Sequence, residues 1–461
     1  MRAHRLQIAP AEEFVHQSRK LILMNRRQFN AAMLGGAAAG MLPRDLFATL
    51  TADHPRVNGA RLNAHLAELG QFGRNPQGGV SRVAYSDADR QARAYVMELM
   101  RAAKLEPAID TAGNIIGRRA GRDASLRPML VGSHVDSVPE GGNFDGQVGS
   151  MGAIEVAQTL AENGIVTKHP LEVTIWQNEE GGIYGSRFVS GEVKPRELGN
   201  VTRSGKTIAE GIAFIGGDVE KLATVQRAPG SIAGYLELHI EQGGTLARDR
   251  IDIGVVEGIV GIHQWEVTIT GFANHAGTTA MNNRRDALLA GARFVELVNR
   301  TVRSVPGRQV GTVGRMQAYP GAPNVVPGRV VCTLELRELD AARIAMFHRR
   351  IVAGAEKIAR DTGTSFAYSE IHADVPAITD ARFRAVIARS ARELGLTSRQ
   401  LPSGAGHDAQ AMARLGPMGM IFVPSQDGVS HSPKEFSKAD DITNGANVLL
   451  RSLVALDAEL G

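Results

Sequence analysis

The sequence predicts an α/β protein in which an open, mostly parallel sheet forms a catalytic domain and a smaller ferredoxin-like α+β domain is inserted into it. Three observations predict this. Short apolar runs alternate with amphipathic stretches along most of the chain, the signature of strands separated by helices. Several of those runs end in histidine or carboxylate, where open parallel sheets put their chemistry. Between residues 255 and 374 the order changes to β-α-β-β-α-β, the ferredoxin-like arrangement. A chain of 461 residues is too long for one ordinary core and long enough for two.

Residues 1–52 read as an N-terminal extension. Arg2, Arg5, Arg19, Lys20, Arg26 and Arg27 against Glu12 and Glu13 account for the whole formal charge of +4. The remainder is neutral, and no basic face is left to recognise nucleic acid. Arg26-Arg27 leads into a glycine-rich apolar stretch over 31–42, too short to span a membrane. It reads as a twin-arginine export signal, with Met24 as the start and a periplasmic destination. The alternative is an N-terminal amphipathic helix on a cytoplasmic protein. Cys332 is the single cysteine, which excludes an intramolecular disulfide and fits either compartment.

The catalytic domain is expected over 53–254 and 375–461. Residues 86–104 and 151–163 read as helices, and the apolar runs beginning at Met129, Leu171 and Gly234 as buried strands. In the insert, 265–270, 310–317, 329–337 and 365–371 read as strands, with helices over 286–300 and 341–360. The first sheet resumes near Ile378, continues through a helix over 380–394, and supplies Asp408 and His431.

The strand ends carry the chemistry. His134 closes the run from Met129, and Asp136 follows on the same side, placed to accept the other ring N–H and fix the tautomer. Asp145 follows in a glycine-dense loop that can fold back on the same ion. Alone, His-x-Asp reads first as a strand end with a solvated turn, because so short a motif matches by chance. Glu179 and Glu180 end the next strand, His239 the one after, and His431 sits in a turn-rich loop. Adjacent carboxylates normally repel; with one on a cation and the other free, the pair becomes a ligand and a general base. Imidazole and carboxylate without thiolate suit Zn²⁺, Mn²⁺ or a related ion. Two ions about 3.5–4 Å apart would need a bridging carboxylate, for which Asp145 is the natural choice.

Gly-Ser-His134-Val-Asp136, Gly-Gly-Asn-Phe-Asp145-Gly, Asn-Glu179-Glu180-Gly, Glu-Leu-His239-Ile-Glu-Gln242-Gly, His275-Ala-Gly, Gly-Ala-Gly-His407-Asp408-Ala and Ser-His431-Ser-Pro together resemble the dinuclear amidohydrolases that cleave ureido groups. These are the N-carbamoyl-L-amino-acid hydrolases, microbial β-ureidopropionases and allantoate amidohydrolases, related to the aminoacylase and carboxypeptidase G2-like metallopeptidases. The resemblance runs from about Arg61 to the C-terminus. It implies two divalent ions per subunit, Zn or Mn, held by His134, Asp145, Glu180, His239 and His431. Glu179 would be the base that takes a proton from the attacking water, with Asp136 orienting a ligand. Gln242, Asn324, Arg337 and His407 would contact a small substrate bearing a carboxylate. The inserted domain would act as a lid and form a homodimer, so that His275 reaches the partner's site and steadies the oxyanion. From the residues alone, His275 reads as a turn cap before the helix at Asp286, and Arg337 reads equally as a ligand for a substrate carboxylate or as a surface arginine paired with Glu335 or Glu338. The chain departs from the family at Glu335, where Asp is usual, at Ala280, where Pro is usual, and in a shorter stretch between Glu180 and Gly185. The expected reaction is hydrolysis of an N-carbamoyl-L-amino acid or allantoate-like ureido acid, with an N-acyl-amino-acid amidase or dipeptidase as the alternative.

Overall fold

The structure, a computed structural model, describes residues 55–460; the expected extension over 1–52, with its arginine pair, lies outside them. The chain runs through α1 (Gly59–Leu69), α2 (Asp87–Ala102), β1 (Glu106–Ile109), β2 (Ile115–Arg119), β3 (Met129–His134), α3 (Gln147–Glu162), β4 (Leu171–Trp176), α4 (Tyr184–Val189), α5 (Ile208–Phe214), β5 (Gly234–Ile240), α6 (Thr245–Asp249) and β6 (Ile253–Ile259). The insert contributes β7 (Gly261–Thr270), β8 (Asn274–His275), α7 (Ala287–Arg303), β9 (Val310–Thr312), β10 (Met316–Tyr319), β11 (Val325–Val326), β12 (Arg329–Glu338), α8 (Ala341–Thr362) and β13 (Ser365–Ala373). The chain closes with β14 (Ala377–Ile378), α9 (Ala381–Glu393), β15 (Ser398–Ser403), α10 (Asp408–Met412), β16 (Met418–Val423) and α11 (Ala439–Glu459).

The larger sheet has the order β1-β2-β4-β3-β5-β16-β6-β14, with β15 beside β6. Its centre, β4-β3-β5-β16, is parallel, and its margins are antiparallel except for β15, which runs parallel to β6. Every residue of those four central strands is buried, as expected of strands covered on both faces. One face packs on α2, α3, α9 and α11 through Met100, Ile154, Phe383 and Leu453, with α1 laid over α3 and α11. The other carries Trp176, Tyr235, Met412 and Phe422.

Helix α3 starts at Gln147, four residues before the position expected from hydrophobic periodicity. Gly149 and Gly152 make this stretch look like a loop, yet the glycines are what let the helix lie on the sheet. A Cβ at Gly149 would stand 2.1 Å from the Leu238 carbonyl oxygen, so only a bare backbone fits there.

The second sheet has the antiparallel order β10-β12-β7-β13, and Phe294, Phe347 and Ile351 of α7 and α8 fill one face. This is the ferredoxin-like pattern. The strand expected over 310–317 is instead two: β9 pairs with Glu335–Arg337 and β10 with Arg329–Cys332. The break is stitched by Arg315, whose N–H donates to the Thr333 hydroxyl at 3.2 Å. A small ladder of β8 and β11, with His275 opposite Val325, is not visible in the sequence because each strand is two residues long.

The expected boundary at residue 255 falls inside β6, which pairs with β15 and β16 in the large sheet. The apolar run of β6 continues through Val260 into β7, which hides the junction between the two sheets. The insert leaves and returns at neighbouring points: Ile259 pairs with Ala377, and the Asp374 N–H donates to the Ile262 carbonyl at 2.9 Å.

Candidate active site

The C-terminal ends of β3, β4 and β5 and the loop after β16 meet at one edge of the large sheet, as open α/β sheets dictate. His134 is the last residue of β3, and His239 the penultimate residue of β5. Glu179 and Glu180 follow β4 after Asn178, whose φ of 50° turns the chain. Asp145 lies in the glycine loop before α3, and His431, with φ 53°, in the loop after β16.

Asp145 is the centre. Its Oδ1 faces the Nε2 atoms of His239 and His134, at 3.2 and 3.6 Å. Its Oδ2 faces His431 Nε2 at 3.3 Å, and that nitrogen is 3.6 Å from Glu180 Oε2. The side chains thus form two sets sharing one carboxylate: His134, Asp145 and His239, all buried, and Asp145, Glu180 and His431, at the rim. Two donors on one tetrahedral Zn²⁺ with bonds of about 2.0–2.1 Å stand ~3.3 Å apart. The observed separations match that spacing. His134 Nε2 is buried without a hydrogen-bond partner among the described residues, an expensive state that coordination would relieve. The residues fit a metal, with Asp145 placed between two positions.

Electrostatics tells the same story. Asp145 is buried, which raises its pKa, but the imidazoles of His134, His239 and His431 that face it overcome burial and hold it well below the ordinary carboxylate range. Burial also opposes charge on His134, and Glu179, Asp145 and Asp136 reverse that, holding it well above the usual imidazole value. The hydrogen bond to Asp145 raises His431 to about 9. Burial lifts Glu180 to about 7, helped by Asp145. Glu179 is pushed well above its usual value, first by burial and then by Asp408, Glu180 and Asp145. Positive charge is what this cluster of carboxylates lacks, and imidazolium supplies it.

The structure corrects the expected role of Asp136. Its carboxylate stands 3.7 Å from His134 Nδ1, whereas its backbone carbonyl is at 3.1 Å. The two carboxylate oxygens instead accept the N–H groups of Glu179 and Glu180, at 3.2 and 3.1 Å. Asp136 therefore aims the glutamates rather than the histidine. Glu179 is not free at the rim: it lines the cleft with little exposure, and its Oε2 lies 3.6 Å from His134 Nε2.

A cleft of about 1160 Å³ opens over the cluster, lined by Asp145, Glu179, Glu180, Gln242 and His431 on one side and Arg337 on the other. Arg337, from β12, is steadied by Glu335 at 2.7 Å and by the Gly404 carbonyl at 2.6 Å; Glu338 pairs with Arg343 instead. Gln242 donates its amide to Asp145 Oδ2 at 2.6 Å. His407 reaches the cleft floor but is buried, edge-on to His239 with ring centroids 4.5 Å apart and hydrogen-bonded to Ser403.

His275 and Asn324 are not brought to this cleft. Both are exposed on the small β8–β11 ladder, and His275 Nδ1 accepts the N–H groups of Gly277 and Thr278, the local turn cap. Sequence reading missed two buried glutamates. Glu435 accepts the N–H groups of Phe144 and Asp145 and the Ser430 hydroxyl, fixing the Asp145 loop. Glu237 accepts from Ser133, Tyr235 and Ala409 N, locking β3, β5 and α10 beneath the histidines. Its place two residues before His239, on the same strand face, was the available signal.

A buried carboxylate between two imidazole sets, at the carboxyl edge of a parallel sheet and roofed by a ferredoxin-like domain, defines an α/β metal-dependent hydrolase. The model of peptidase family M20/M25/M40 matches residues 130–455, and the chain belongs to that family. It is 40% identical over 402 residues to the N-carbamoyl-L-amino acid amidohydrolase of Geobacillus stearothermophilus, covering 86% of this chain and 98% of that one. It is 33% identical over 394 residues to the allantoate amidohydrolase of Bacillus subtilis, covering 84% and 95%. The crystal structure of an amidase of the hydantoinase/carbamoylase family from Burkholderia multivorans superposes with a TM-score of 0.82 at 38% identity, covering 88% and 99%.

Proposed function

We propose that the protein hydrolyses a linear ureido C–N bond in a small acid, with N-carbamoyl-L-amino acids first and allantoate-like ureido acids next. The balance is R–NH–CO–NH₂ + H₂O → R–NH₂ + CO₂ + NH₃. The observation that carries the reading is Asp145 shared by two ligand sets beneath the Arg337 guanidinium, in one cleft. Two divalent ions, Zn or Mn, held by His134, Asp145, Glu180, His239 and His431, would lower the pKa of water and polarise the carbonyl. Glu179 takes the proton from the attacking water and passes it to the departing nitrogen; its raised pKa suits a group that must both accept and release. Asp136 keeps both glutamates aimed. Arg337 receives the substrate carboxylate on the part of its planar fork that Glu335 and Gly404 leave free.

Supporting a homodimer, Leu288, Leu289 and Val295 of α7 and the preceding Phe272 and Met281 are exposed. His275 and Asn324 would then meet substrate only in the partner's cleft. Sedimentation analysis gives the mass directly. Export through the Arg26-Arg27 signal belongs to the same proposal and is tested by fractionating cells that express the full chain.

The test of activity is ammonia release from N-carbamoyl-L-amino acids and allantoate beside amine release from N-acetyl-amino acids and dipeptides. Ammonia that chelator abolishes, and that Glu179→Gln lowers at least a thousandfold with metal still bound, is the expected result. Amine from N-acyl substrates without ammonia overturns the ureido reading, and full activity in Glu179→Gln overturns the proton path.

A further inference from the structure

We propose that the cleft selects ureido acids carrying a second carboxylate, and that Lys194 and Arg196 receive it; the inference rests on the ureido-acid reading above. A cleft of about 1160 Å³ is larger than the usual small-molecule site of roughly 300–1,000 Å³, so space remains beyond Arg337 and the ligand cluster. The far wall is the segment after α4, and its carboxylates are already committed to holding it in place. Glu192 accepts from Ser190 at 2.6 Å and pairs with Arg414 at 2.7 Å. Glu197 takes two nitrogen-to-oxygen contacts from Arg187, at 2.9 and 3.2 Å, and the Lys194 N–H at 2.8 Å. Pro195 opens the 3₁₀ turn that follows, over Pro195–Gly199.

The loop is therefore pinned at both ends by glutamates, and the two cations between them are the charges left over. Lys194 and Arg196 line the cleft, and neither pairs with an acid among the described residues. On the opposite wall His372 is matched by Asp374 at 2.5 Å, and Glu370 alone is unmatched. The surplus along this wall is positive. A substrate fixed by its α-carboxylate at Arg337 and by its carbamoyl group at the cluster would present its side chain here, and a terminal carboxylate would meet both cations.

N-carbamoyl-L-glutamate and N-carbamoyl-L-glutamine have the same shape and differ by that charge, so their kcat/KM ratio is the readout. The wild-type chain, metal-loaded and at low salt, should favour the glutamate compound about tenfold, as two part-exposed ion pairs allow. The preference should shrink as salt is raised. Lys194→Met with Arg196→Met should bring the ratio near one while leaving the rate on the glutamine compound unchanged. A wild-type ratio of one or below, or a double variant that slows both compounds equally, overturns the proposal. Calorimetric Kd values for the same two compounds on Glu179→Gln give the ratio without turnover. A glutamate preference in binding, together with no ammonia release from either compound by the wild-type chain, would sink the ureido reading and keep the acid site; equal Kd values would sink the acid site alone.

Discussion

Gly146→Ala isolates what the Asp145 loop does for the metal site. Gly146 sits between Asp145 and α3 with φ 73°, and an added Cβ would stand 2.3 Å from Cε1 and Nε2 of His134 and 2.4 Å from Cδ2. Carbon contacts are comfortable at about 3.5–4.0 Å, so the ring must retreat by ~1.2 Å or more. Metal ligands tolerate ~0.2 Å. The left-handed backbone adds about 1–2 kcal/mol for any residue with a Cβ. Gly78→Ala is the matched control, because Gly78 has φ 89° and no atom within 4 Å of the added carbon. In chelator Gly78→Ala should lose only the backbone share of stability, and Gly146→Ala a further ~1–3 kcal/mol for the displaced ring. Only Gly146→Ala should lose metal, with affinity down roughly 10–100-fold, the scale of misplacing a ligand, and activity down in step. Metal content after dialysis and titration against a fluorescent chelator provide the measurement. If Gly146→Ala keeps the wild-type stoichiometry and affinity, His134 does not bind through Nε2 in this geometry, and the reading of the buried set is wrong.

Asp136→Asn leaves one of the Glu179 and Glu180 N–H groups without an acceptor, costing about 1–3 kcal/mol; kcat should fall roughly 10–100-fold with metal content intact, and parallel loss of metal would return Asp136 to His134. His431→Ala, which removes a half-exposed ligand, should leave one ion bound, whereas His239→Ala, which opens the buried set, should release both through the weakened Asp145; equal residual metal in the two would show the sets to be independent. The histidine partners of Asp145 predict a pH effect whose sign is definite. His431 rises to about 9 in the folded chain against ~6.5 unfolded, so its stabilisation is complete below 6.5 and lost as pH climbs through 9. In chelator the Tm should therefore decline over that window, while apparent metal affinity, which needs neutral imidazole, should increase across it; a flat affinity from pH 6 to 9 contradicts the assignment.

The ligand cluster was legible because its members stand at the ends of apolar runs, and strand ends in a parallel sheet converge whatever lies between them. What the residues do to one another was less legible. His134-x-Asp136 suggests a carboxylate behind an imidazole, but Asp136 lies beyond the end of β3, and its carboxylate turns to the loop after β4, where the Glu179 and Glu180 amides donate to it. Glu435 carries no sequence signal of its task, since the amides it holds, Phe144 N and Asp145 N, are nearly three hundred residues away. The start of α3 was hidden by glycines, which weaken a helix in isolation and permit this one to touch the sheet. His275 lies outside its own chain's cleft, with its Nδ1 accepting the N–H groups of Gly277 and Thr278, and a role in a partner's cleft rests on the motif alone.

The pairing of Ile259 with Ala377 makes the inserted domain a separable cassette. Its two connections run side by side as a short antiparallel ladder, so a two-residue hairpin turn could replace 260–376 and keep β6 and β14 in register. Every member of the two ligand sets lies outside that segment. The catalytic sheet can in this way be inherited with a different roof, or none, without rebuilding the metal centre, and substrate choice becomes something the lineage can exchange in one piece.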